Sequence, residues 1–171
     1  ENCPVIFMEH RLLYNTKSYV KNNYFKLPIG KARIMTRGKD ITVVALSHMS
    51  ILCYRVAKIL KNYGISVEVI DLRSIKPLDI NSIIKSVKKT NKLLVVDNGW
   101  SFCGLSSEII AQVSLKLNKR ILFEKLTFLE APCPTAPNLE KEFYPSPEKI
   151  IVTLKKMLKL NLKVNLSDEE K

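Results

Sequence analysis

The chain contains few of the residues from which self-contained active sites are usually built. Its 171 residues include two histidines, one tryptophan and five glycines. A nucleophilic triad needs a base. His10 falls in a polar linker, and His48 follows a strand, where a surface histidine beside a helix cap is the ordinary case. We therefore predict no catalytic residue in this chain.

The four cysteines are widely separated, at Cys3, Cys53, Cys103 and Cys133. They form no C-x-x-C pair and no histidine cluster accompanies them, which argues against a zinc site or a redox dithiol. Reduced thiols in a reducing compartment are the interpretation that this spacing favours. Cys103 falls at a helix start, which can lower a thiol pKa, yet no histidine is placed to assist it. No metal site is predicted.

Glycine-rich phosphate loops are missing as well. Gly99 and Gly104 flank Trp100 at a separation of five residues, whereas a phosphate loop needs more glycines or a G-K-[ST] signature. There is no dinucleotide fingerprint, and no apolar run approaches the ~20 residues that span a membrane. We predict neither a cofactor-binding residue nor a membrane partner.

Positive charge is abundant: 28 lysines and arginines face 16 acids, for a net charge of +12. Such a balance is typical of nucleic-acid-binding proteins. The lysines are, however, spread along the chain, and the densest group falls on and just after a helix whose other face is apolar: Lys85, Lys88, Lys89 and Lys92. We interpret this group as a solvated helix face, so nucleic acid is not the expected partner. A basic α/β nucleic-acid-binding module stays open as the alternative function.

The stretch from Ser66 to Asp79 organises the rest of the sequence. It begins with a short β-branched run, typical of a buried central strand. Asp79 is placed to cap a helix whose apolar residues recur at helical spacing: Ile80, Ile83, Ile84 and Val87. We predict a parallel strand on each side of this one, at Ile41–Leu46 and Leu93–Val96.

The remaining segments complete a layered α/β pattern. A turn of about four residues joins Ala32–Met35 to the next strand, so we predict an antiparallel edge strand there. Helices are expected after Ser47 or Ser50, after Gly104 and at Ser146-Pro147-Glu148, which carries a cap and a proline at the first position. The last strand is either Ile121–Phe123 or Leu126–Leu129, and Glu130–Pro147, with five of the eight prolines, should be an irregular loop. Together these elements predict a three-layer α/β/α fold with a mixed five-stranded sheet and one antiparallel edge strand.

Both ends of the chain differ from this pattern. An apolar, strand-like run at Val5–Met8 precedes a polar passage, which suggests that residues 1–30 are the last strand of a preceding domain plus a linker. The sequence starts at Glu1 without an initiator methionine, so we expect a piece of a longer precursor. The domain itself should span residues 31–160, and residues 161–171 should form a disordered tail.

Ligands of open parallel sheets meet the loops at the carboxyl ends of the strands. Asp71 and Asp97 end two strands that we expect to be adjacent, but acids commonly close strands, so we favour a structural role over a paired-carboxylate site. Trp100 is either an interface anchor or core filler. A flavodoxin-like phosphoacceptor is a further rival, although it needs acids after the first parallel strand, where the sequence reads Ala45-Leu46-Ser47.

An ordered set of short motifs resembles one known family. The set is Pro4-Val5-Ile6-Phe7-Met8-Glu9-His10, Leu12-Leu13-Tyr14-Asn15, Pro28-Ile29-Gly30-Lys31-Ala32, Asp40-Ile41-Thr42-Val43-Val44, Glu68-Val69-Ile70-Asp71-Leu72-Arg73, Lys76-Pro77-Leu78-Asp79 and Val95-Val96-Asp97-Asn98-Gly99-Trp100. From Pro4 to about Leu158 the chain resembles the C-terminal domain of the beta subunits of thiamine-diphosphate-dependent pyruvate dehydrogenases, in the transketolase-like group. Its motifs are more similar to those of plastid and bacterial pyruvate enzymes than to those of branched-chain 2-oxoacid relatives.

The resemblance implies an enzyme subunit rather than a complete enzyme. In that family, thiamine diphosphate and magnesium are held by the alpha subunit, and an activating glutamate comes from the beta subunit's N-terminal domain. An alpha2-beta2 heterotetramer decarboxylates pyruvate and acetylates lipoyl groups. The implied partners are an alpha subunit, a second beta subunit and a dihydrolipoyl acyltransferase. This fragment alone should be inactive and bind no cofactor, and the implied location is a plastid-type organelle first and the mitochondrial matrix second.

The resemblance also implies where subunits would meet. The candidate interface residues are Trp100, Phe102, Thr135, Asn138 and Glu140; for Glu140, helix capping is an equal alternative. Two positions depart from the family: Thr135 replaces a tyrosine, and Arg120 falls near the place of an acid that helps to dock the acyltransferase. An arginine repels the basic partner that an acid attracts. The docking surface is therefore altered, or shifted toward Glu124, Glu130, Glu140 or Glu142.

Overall fold

A computed structural model describes residues 4–20, 22–164 and 166. In these ranges the main chain forms five strands and five α-helices, after a short 3-10 turn at Arg11–Leu13. The strands are β1 (Arg33–Thr36), β2 (Ile41–Ala45), β3 (Val67–Asp71), β4 (Lys92–Val96) and β5 (Leu122–Leu126). The helices are α1 (His48–Lys61), α2 (Ile80–Thr90), α3 (Leu105–Lys116), α4 (Pro137–Phe143) and α5 (Pro147–Leu158). None of these helices is both long and apolar enough to cross a membrane.

The five strands form one mixed sheet in the order β1-β3-β2-β4-β5. The predicted fold class is confirmed, and β2, β3 and β4 are parallel as expected, but the predicted order was wrong. The central strand is β2: Val43 pairs with Val69 on one side and with Leu94 on the other. The connection through α1 places β3 beside β2, and the connection through α2 then returns across β2 to β4. Right-handed crossovers in opposite directions put α1 and α2 on opposite faces of the sheet.

The antiparallel edge strand is present, although its partner differs from the one that the short turn indicated. Strand β1 pairs with β3, where Ile34 faces Ile70, and not with β2. Both edges of β2 are already occupied by β3 and β4, so the 37–40 turn has to carry the chain past β3. Thr36 closes this pairing, because its hydroxyl donates to the Val67 carbonyl at 2.8 Å.

Two apolar cores lie on the two faces of the sheet. Helices α1 and α5 cover one face, around the fully buried Leu60 and Leu154. Helices α2 and α3 cover the other, around Ile83 and Ile109, which are also fully buried. Because β2, β3 and β4 are covered on both faces, the side chains that they place on either face are mostly apolar, as in other parallel sheets.

Beneath helix α2 the second layer also contains buried polar groups. Glu68 on β3 has a side chain that is 4% exposed, and its carboxylate accepts a hydrogen bond from Lys89 Nζ at 2.5 Å. Burial by itself raises the pKa of Glu68, but hydrogen bonds from Lys89, Ser86 and the Gly38 amide outweigh it, so that this pKa lies below its ordinary value. The pair therefore stabilises the folded chain while Glu68 is ionised.

We expect Lys89→Met to destabilise the chain by about 2 kcal/mol or more at pH 7, because it leaves the buried Glu68 carboxylate without its cation. A carboxyl with a lowered folded pKa contributes stability above its unfolded pKa and loses it as the pH falls through the folded pKa. The difference between variant and wild type should therefore shrink toward pH 4. Urea unfolding at both pH values measures this, with Lys88→Met as the control, since Lys88 belongs to none of the ion pairs found among the described residues. An equal loss for the two variants would contradict the prediction.

The C-terminal third departs from the sequence expectations in two places. Strand β5 occupies residues 122–126, between and across the two predicted pieces, and the expected irregular loop contains helix α4. Pro137 is at the first position of α4, where proline is tolerated because that amide has no intrahelical partner. The predicted start of α5 is confirmed: Ser146 Oγ accepts from the Lys149 amide at 3.3 Å.

The two ends of the chain were expected to lie outside the domain. Residues 4–10 contain no strand, and Ile6 and Phe7 are more than four-fifths exposed because no neighbouring strand covers them. Leu162, Val164 and Leu166 are partly buried against the α1/α5 core, which differs from the expected disordered tail. Within that tail, Asn165 and residues 167–171 lie outside the described ranges. The boundaries at residues 30 and 160 stay predictions.

Candidate subunit interface

The loops after β2, β3, β4 and β5 meet where these strands end. We call this side of the sheet its carboxyl edge, and the side where the same strands begin its amino edge. The linker also arrives there, because β1 runs antiparallel to its neighbours. Asp79, the N-cap of α2, accepts hydrogen bonds from the Ser82 amide and from the Ala32 amide, the latter at 3.0 Å. Burial by itself raises the pKa of Asp79, but these hydrogen bonds lower it below its ordinary value. One carboxylate thus starts a helix and fixes the point at which the linker joins the domain.

Asp71 and the two histidines of this edge contact neighbouring side chains. Asp71 accepts a hydrogen bond from Ser50 Oγ at 2.9 Å, which joins the end of β3 to the first turn of α1. Its carboxylate also lies 3.7 Å from Arg73 Nε. The ring of His48 stacks on His10 with centroids 5.0 Å apart. Burial lowers the pKa of His48, and the nearby His10 adds to this effect. The structure brings these groups together in a way that joins the linker to the sheet.

Asp71 and Asp97 do not form a paired-carboxylate site. Asp97 ends β4, and strand β2 lies between β4 and β3, so the expectation that the two acids end adjacent strands was wrong. Two strand spacings separate them, about 10 Å. Burial raises the pKa of Asp97, while the Ser106 and Asn98 amides partly offset that shift. Asp97 accepts from the Ser106 amide at 3.3 Å and so holds the start of α3 against the sheet.

An aromatic cluster lies at the carboxyl edge. Trp100 is 53% exposed and packs edge-on against Phe128, with ring centroids 5.0 Å apart. Phe128 in turn stacks on Phe143, which contacts Tyr144 edge-on. Phe102, two residues after Trp100, is 79% exposed. One side of the Trp100 ring therefore packs against the aromatic cluster and the other side is in solvent. This arrangement is more typical of an interface anchor than of a core residue.

The loop that carries Trp100 is fixed from below by Lys125 on β5. Lys125 Nζ donates to the Ser101 carbonyl at 2.5 Å and to Ser107 Oγ at 2.9 Å. At the end of the loop, a Cβ on Gly104 would lie 1.9 Å from the Trp100 carbonyl oxygen. Neither Lys125 nor the aromatic residues Phe128, Phe143 and Tyr144 were predicted from the sequence, because they lie far from Trp100 along the chain.

We expect Lys125→Met to loosen the Trp100 loop with a modest effect on stability, about 1 to 2 kcal/mol, because two hydrogen bonds from one charged donor are lost. The observable is Trp100 itself, the only tryptophan of the chain. Its fluorescence anisotropy should fall and its quenching by acrylamide should rise in the variant. Lys141→Met, at an exposed position of helix α4, is the control. Unchanged tryptophan signals in Lys125→Met would contradict the proposed positioning role.

The other residues proposed for the interface are also on the surface of this edge. Thr135 precedes α4, and Asn138 and Glu140 lie within it; all three are exposed, as are Trp100 and Phe102. The acids considered for docking have different surroundings. Glu124 is 3.6 Å from Lys156 and Glu142 is 3.5 Å from Lys149. Arg120 lies before β5, at the opposite edge of the sheet.

The described residues do not offer a cradle for a magnesium diphosphate. Among them, no three His, Cys, Asp or Glu side chains lie close enough together to bind a metal ion. Magnesium prefers clustered oxygen ligands, and the acids of the carboxyl edge are spread over different strands and helices. We therefore derive no catalytic step through thiamine diphosphate in this chain.

The fold and this edge define a three-layer α/β domain with an exposed aromatic surface beside its β4–α3 loop. The chain belongs to the family described as transketolase, C-terminal domain, whose model matches residues 30–150. A solved structure entitled split gene transketolase, inactive beta4 tetramer, is similar in fold: the TM-score is 0.70 over 81% of this chain and 45% of that one, with 24% sequence identity.

Curated relatives with more similar sequences are named as beta subunits of enzymes. The chain is 40% identical over 159 residues to the pyruvate dehydrogenase E1 component subunit beta of Rickettsia bellii, covering 92% of this chain and 49% of the relative. It is 36% identical over 167 residues to the mitochondrial subunit of the same name from Dictyostelium discoideum, covering 94% and 47%. It is also 36% identical to an acetoin:2,6-dichlorophenolindophenol oxidoreductase subunit beta of Bacillus subtilis, covering 90% and 46%. The chain spans about half the length of these relatives.

Proposed function

We propose that this chain is the C-terminal assembly domain of the beta subunit of a thiamine-diphosphate-dependent pyruvate dehydrogenase. The observation that carries the proposal is similarity along nearly the whole chain, at 40% identity, to half of a pyruvate dehydrogenase beta subunit. The aromatic surface is consistent with it, because a half-exposed tryptophan over a stacked aromatic base suits a contact between subunits.

The complete enzyme would decarboxylate pyruvate and acetylate lipoyl groups. Its thiamine diphosphate and magnesium would be bound outside the residues of this chain, and its partners would be an alpha subunit, a second beta subunit and a dihydrolipoyl acyltransferase. We propose a heterotetramer of two alpha and two beta subunits. Support for cofactor binding outside this chain comes from the carboxyl edge, where Asp71, Asp79 and Asp97 each accept a hydrogen bond from the domain itself.

The organelle is a separate proposal: we propose a plastid-type organelle first and the mitochondrial matrix second. Relatives from Dictyostelium discoideum and Pisum sativum are named mitochondrial. The preference for a plastid-type organelle rests on sequence wording such as Pro132-Cys133-Pro134. Fluorescent tagging of the complete precursor in its own cells, with markers for both compartments, distinguishes the two.

The function is tested by co-expressing the complete beta subunit with the alpha subunit of the same organism. We expect a stable complex that releases carbon dioxide from pyruvate when thiamine diphosphate and magnesium are added. A beta subunit whose chain ends before residue 31, and which therefore lacks this domain, is the matched control. It should give neither complex nor activity. Two outcomes oppose the proposal: a complex that decarboxylates only branched-chain 2-oxoacids, or pyruvate decarboxylation by this chain alone.

A further inference from the structure

The fold gathers positive charge that looks dispersed in the sequence. Six exposed cations lie at the amino edge of the sheet, opposite the aromatic surface; we call them the basic edge: Arg37, Lys39, Lys61, Lys88, Lys119 and Arg120. Contacts join neighbouring elements along this edge. The Lys39 amide donates to the Ser66 carbonyl at 3.2 Å, and Lys119 Nζ donates to the Lys88 carbonyl at 2.6 Å. Residues up to 83 positions apart therefore line one strip.

The acids of the domain are concentrated elsewhere. At the basic edge the described acids are Asp40, which accepts from the Ser66 amide at 2.7 Å, and Glu68, which is buried beneath Lys89. None of the six cations belongs to an ion pair among the described residues. By contrast, Asp71, Asp79 and Asp97 all lie at the carboxyl edge. The basic edge therefore has few acids to neutralise its cations, and exposed acids are concentrated away from it.

Helix dipoles account for only part of this arrangement. Cations in the last turn of a helix are favoured by the partial negative charge there, and Lys61 and Lys88 are in the last turns of α1 and α2. The other four cations of the basic edge lie in the turns before β2 and β5, outside any helix. Their position requires a different explanation, and binding of a polyanion is the direct one.

We propose that the basic edge binds the phosphate backbone of a nucleic-acid duplex, without sequence specificity. Five strands at about 4.8 Å spacing make the strip about 19 Å long, so the four cations of the turns give about one charge per 5 Å, and Lys61 and Lys88 add charge on the two faces of the sheet. One strand of a duplex carries a phosphate every ~3.4 Å along the axis, so a backbone that lies along the strip brings several phosphates near these cations. Contacts from cations to phosphate oxygens carry no sequence information, which is why we expect no sequence specificity.

A protein partner fits the basic edge less well. Protein interfaces have an apolar centre that is depleted of charge. The exposed large apolar side chains near this strip are Tyr63, beside the start of β3, Leu122, at the start of β5, and Leu115, near the end of α3. Because β5 and β3 are three places apart in the sheet, Tyr63 flanks the strip at a separate point from Leu122, and the three side chains form no common centre. This activity is additional to the proposed role in pyruvate dehydrogenase and does not depend on it.

The test measures binding of the full chain to a fluorescein-labelled mixed-sequence DNA duplex of 20 base pairs, by fluorescence anisotropy between 50 and 200 mM salt. The basic-edge variant is Lys39→Gln/Lys88→Gln/Arg120→Gln. The control, Lys31→Gln/Lys76→Gln/Lys141→Gln, removes the same charge from exposed positions near the carboxyl edge. Each cation that contacts a phosphate adds about 0.9 to the slope of log affinity against log salt. Thermal unfolding of all three proteins verifies that they are folded.

We expect the basic-edge variant to lose at least tenfold in affinity at 100 mM salt and close to three units of slope, and the control to lose less than twofold. Equal losses in the two variants would show that net charge alone binds DNA and would overturn the proposal. So would wild-type affinity too weak to detect at 50 mM salt. Polyglutamate that binds the same edge more tightly than the duplex would also overturn it, in favour of an acidic protein partner.

Discussion

Replacing Gly38 by alanine should lower the free energy of unfolding by about 3 kcal/mol or more, one of the largest effects expected for a single methyl group. Gly38 lies in the turn between β1 and β2, where the chain passes close to β3. A Cβ at this position would be 2.3 Å from the Val67 carbonyl carbon and 2.4 Å from the Glu68 nitrogen. Both atoms belong to the backbone of a paired strand, so neither can move without disturbing the sheet.

A second consequence adds to the first. The Gly38 amide donates to the buried Glu68 carboxylate at 3.2 Å. If the turn moves away to make room for the methyl group, that carboxylate loses a donor in a place from which water is excluded, and a buried acceptor without its partner is costly. Both effects act in the same direction, which is why we expect more than an ordinary overpacking penalty.

Gly64→Ala is the matched control, because no atom lies within 4 Å of the position of its new Cβ. Its cost comes from the backbone alone: φ is +76°, a region that costs a side-chain-bearing residue about 1 to 2 kcal/mol. Thermal unfolding gives the comparison, and for a chain of this length 3 kcal/mol corresponds to a melting temperature lower by roughly 6 to 12 °C. If Gly38→Ala unfolds no earlier than Gly64→Ala, the turn does not contact β3 as described.

The positions of the strands could be predicted from the sequence, but their order in the sheet could not. Short apolar runs predicted where β2, β3 and β4 lie, since a strand buried on both faces leaves a local signature. Their order has no local signature, because it depends on which edge of β2 each crossover reaches. The four-residue turn suggested a hairpin between β1 and β2, but both edges of β2 are occupied, and β3 is the neighbouring strand with a free edge.

The same distinction applies to the two surfaces of the domain. Trp100 was recognised from its loop, because a tryptophan after a glycine is visible in the sequence. Its supporting residues were not, since Phe128 and Phe143 reach it from beyond β5. The lysines looked dispersed, as in a solvated helix face, because sequence separation hides the fact that the turns before β2 and β5 meet at one edge. Local structure could thus be predicted, whereas sites assembled from several loops could not.

Trp100→Ala in the complete beta subunit should weaken association with its partner subunits by about 2 to 3.5 kcal/mol, roughly 30-fold to several hundred-fold in Kd. A tryptophan supported from below loses little entropy on binding and buries a large area when a partner covers its exposed face. In the isolated chain that face is in solvent, so the same substitution should cost folding only about 1 kcal/mol, from the contact with Phe128. A large effect on assembly with a small effect on folding separates an interface anchor from a core residue.

Leu115→Ala provides the control for removing an exposed apolar side chain. Leu115 is 88% exposed near the end of α3, toward the amino edge of the sheet and away from the Trp100 loop. Sedimentation of mixed alpha and beta subunits over a concentration series measures the shift in Kd, and urea unfolding of each variant measures the folding cost. Phe102→Ala should follow Trp100→Ala in direction with a smaller effect, since Phe102 is 79% exposed and outside the aromatic cluster. Assembly of Trp100→Ala at wild-type concentrations would remove the carboxyl edge as the subunit contact, because no other large side chain in that loop combines an exposed face with a rigid aromatic base.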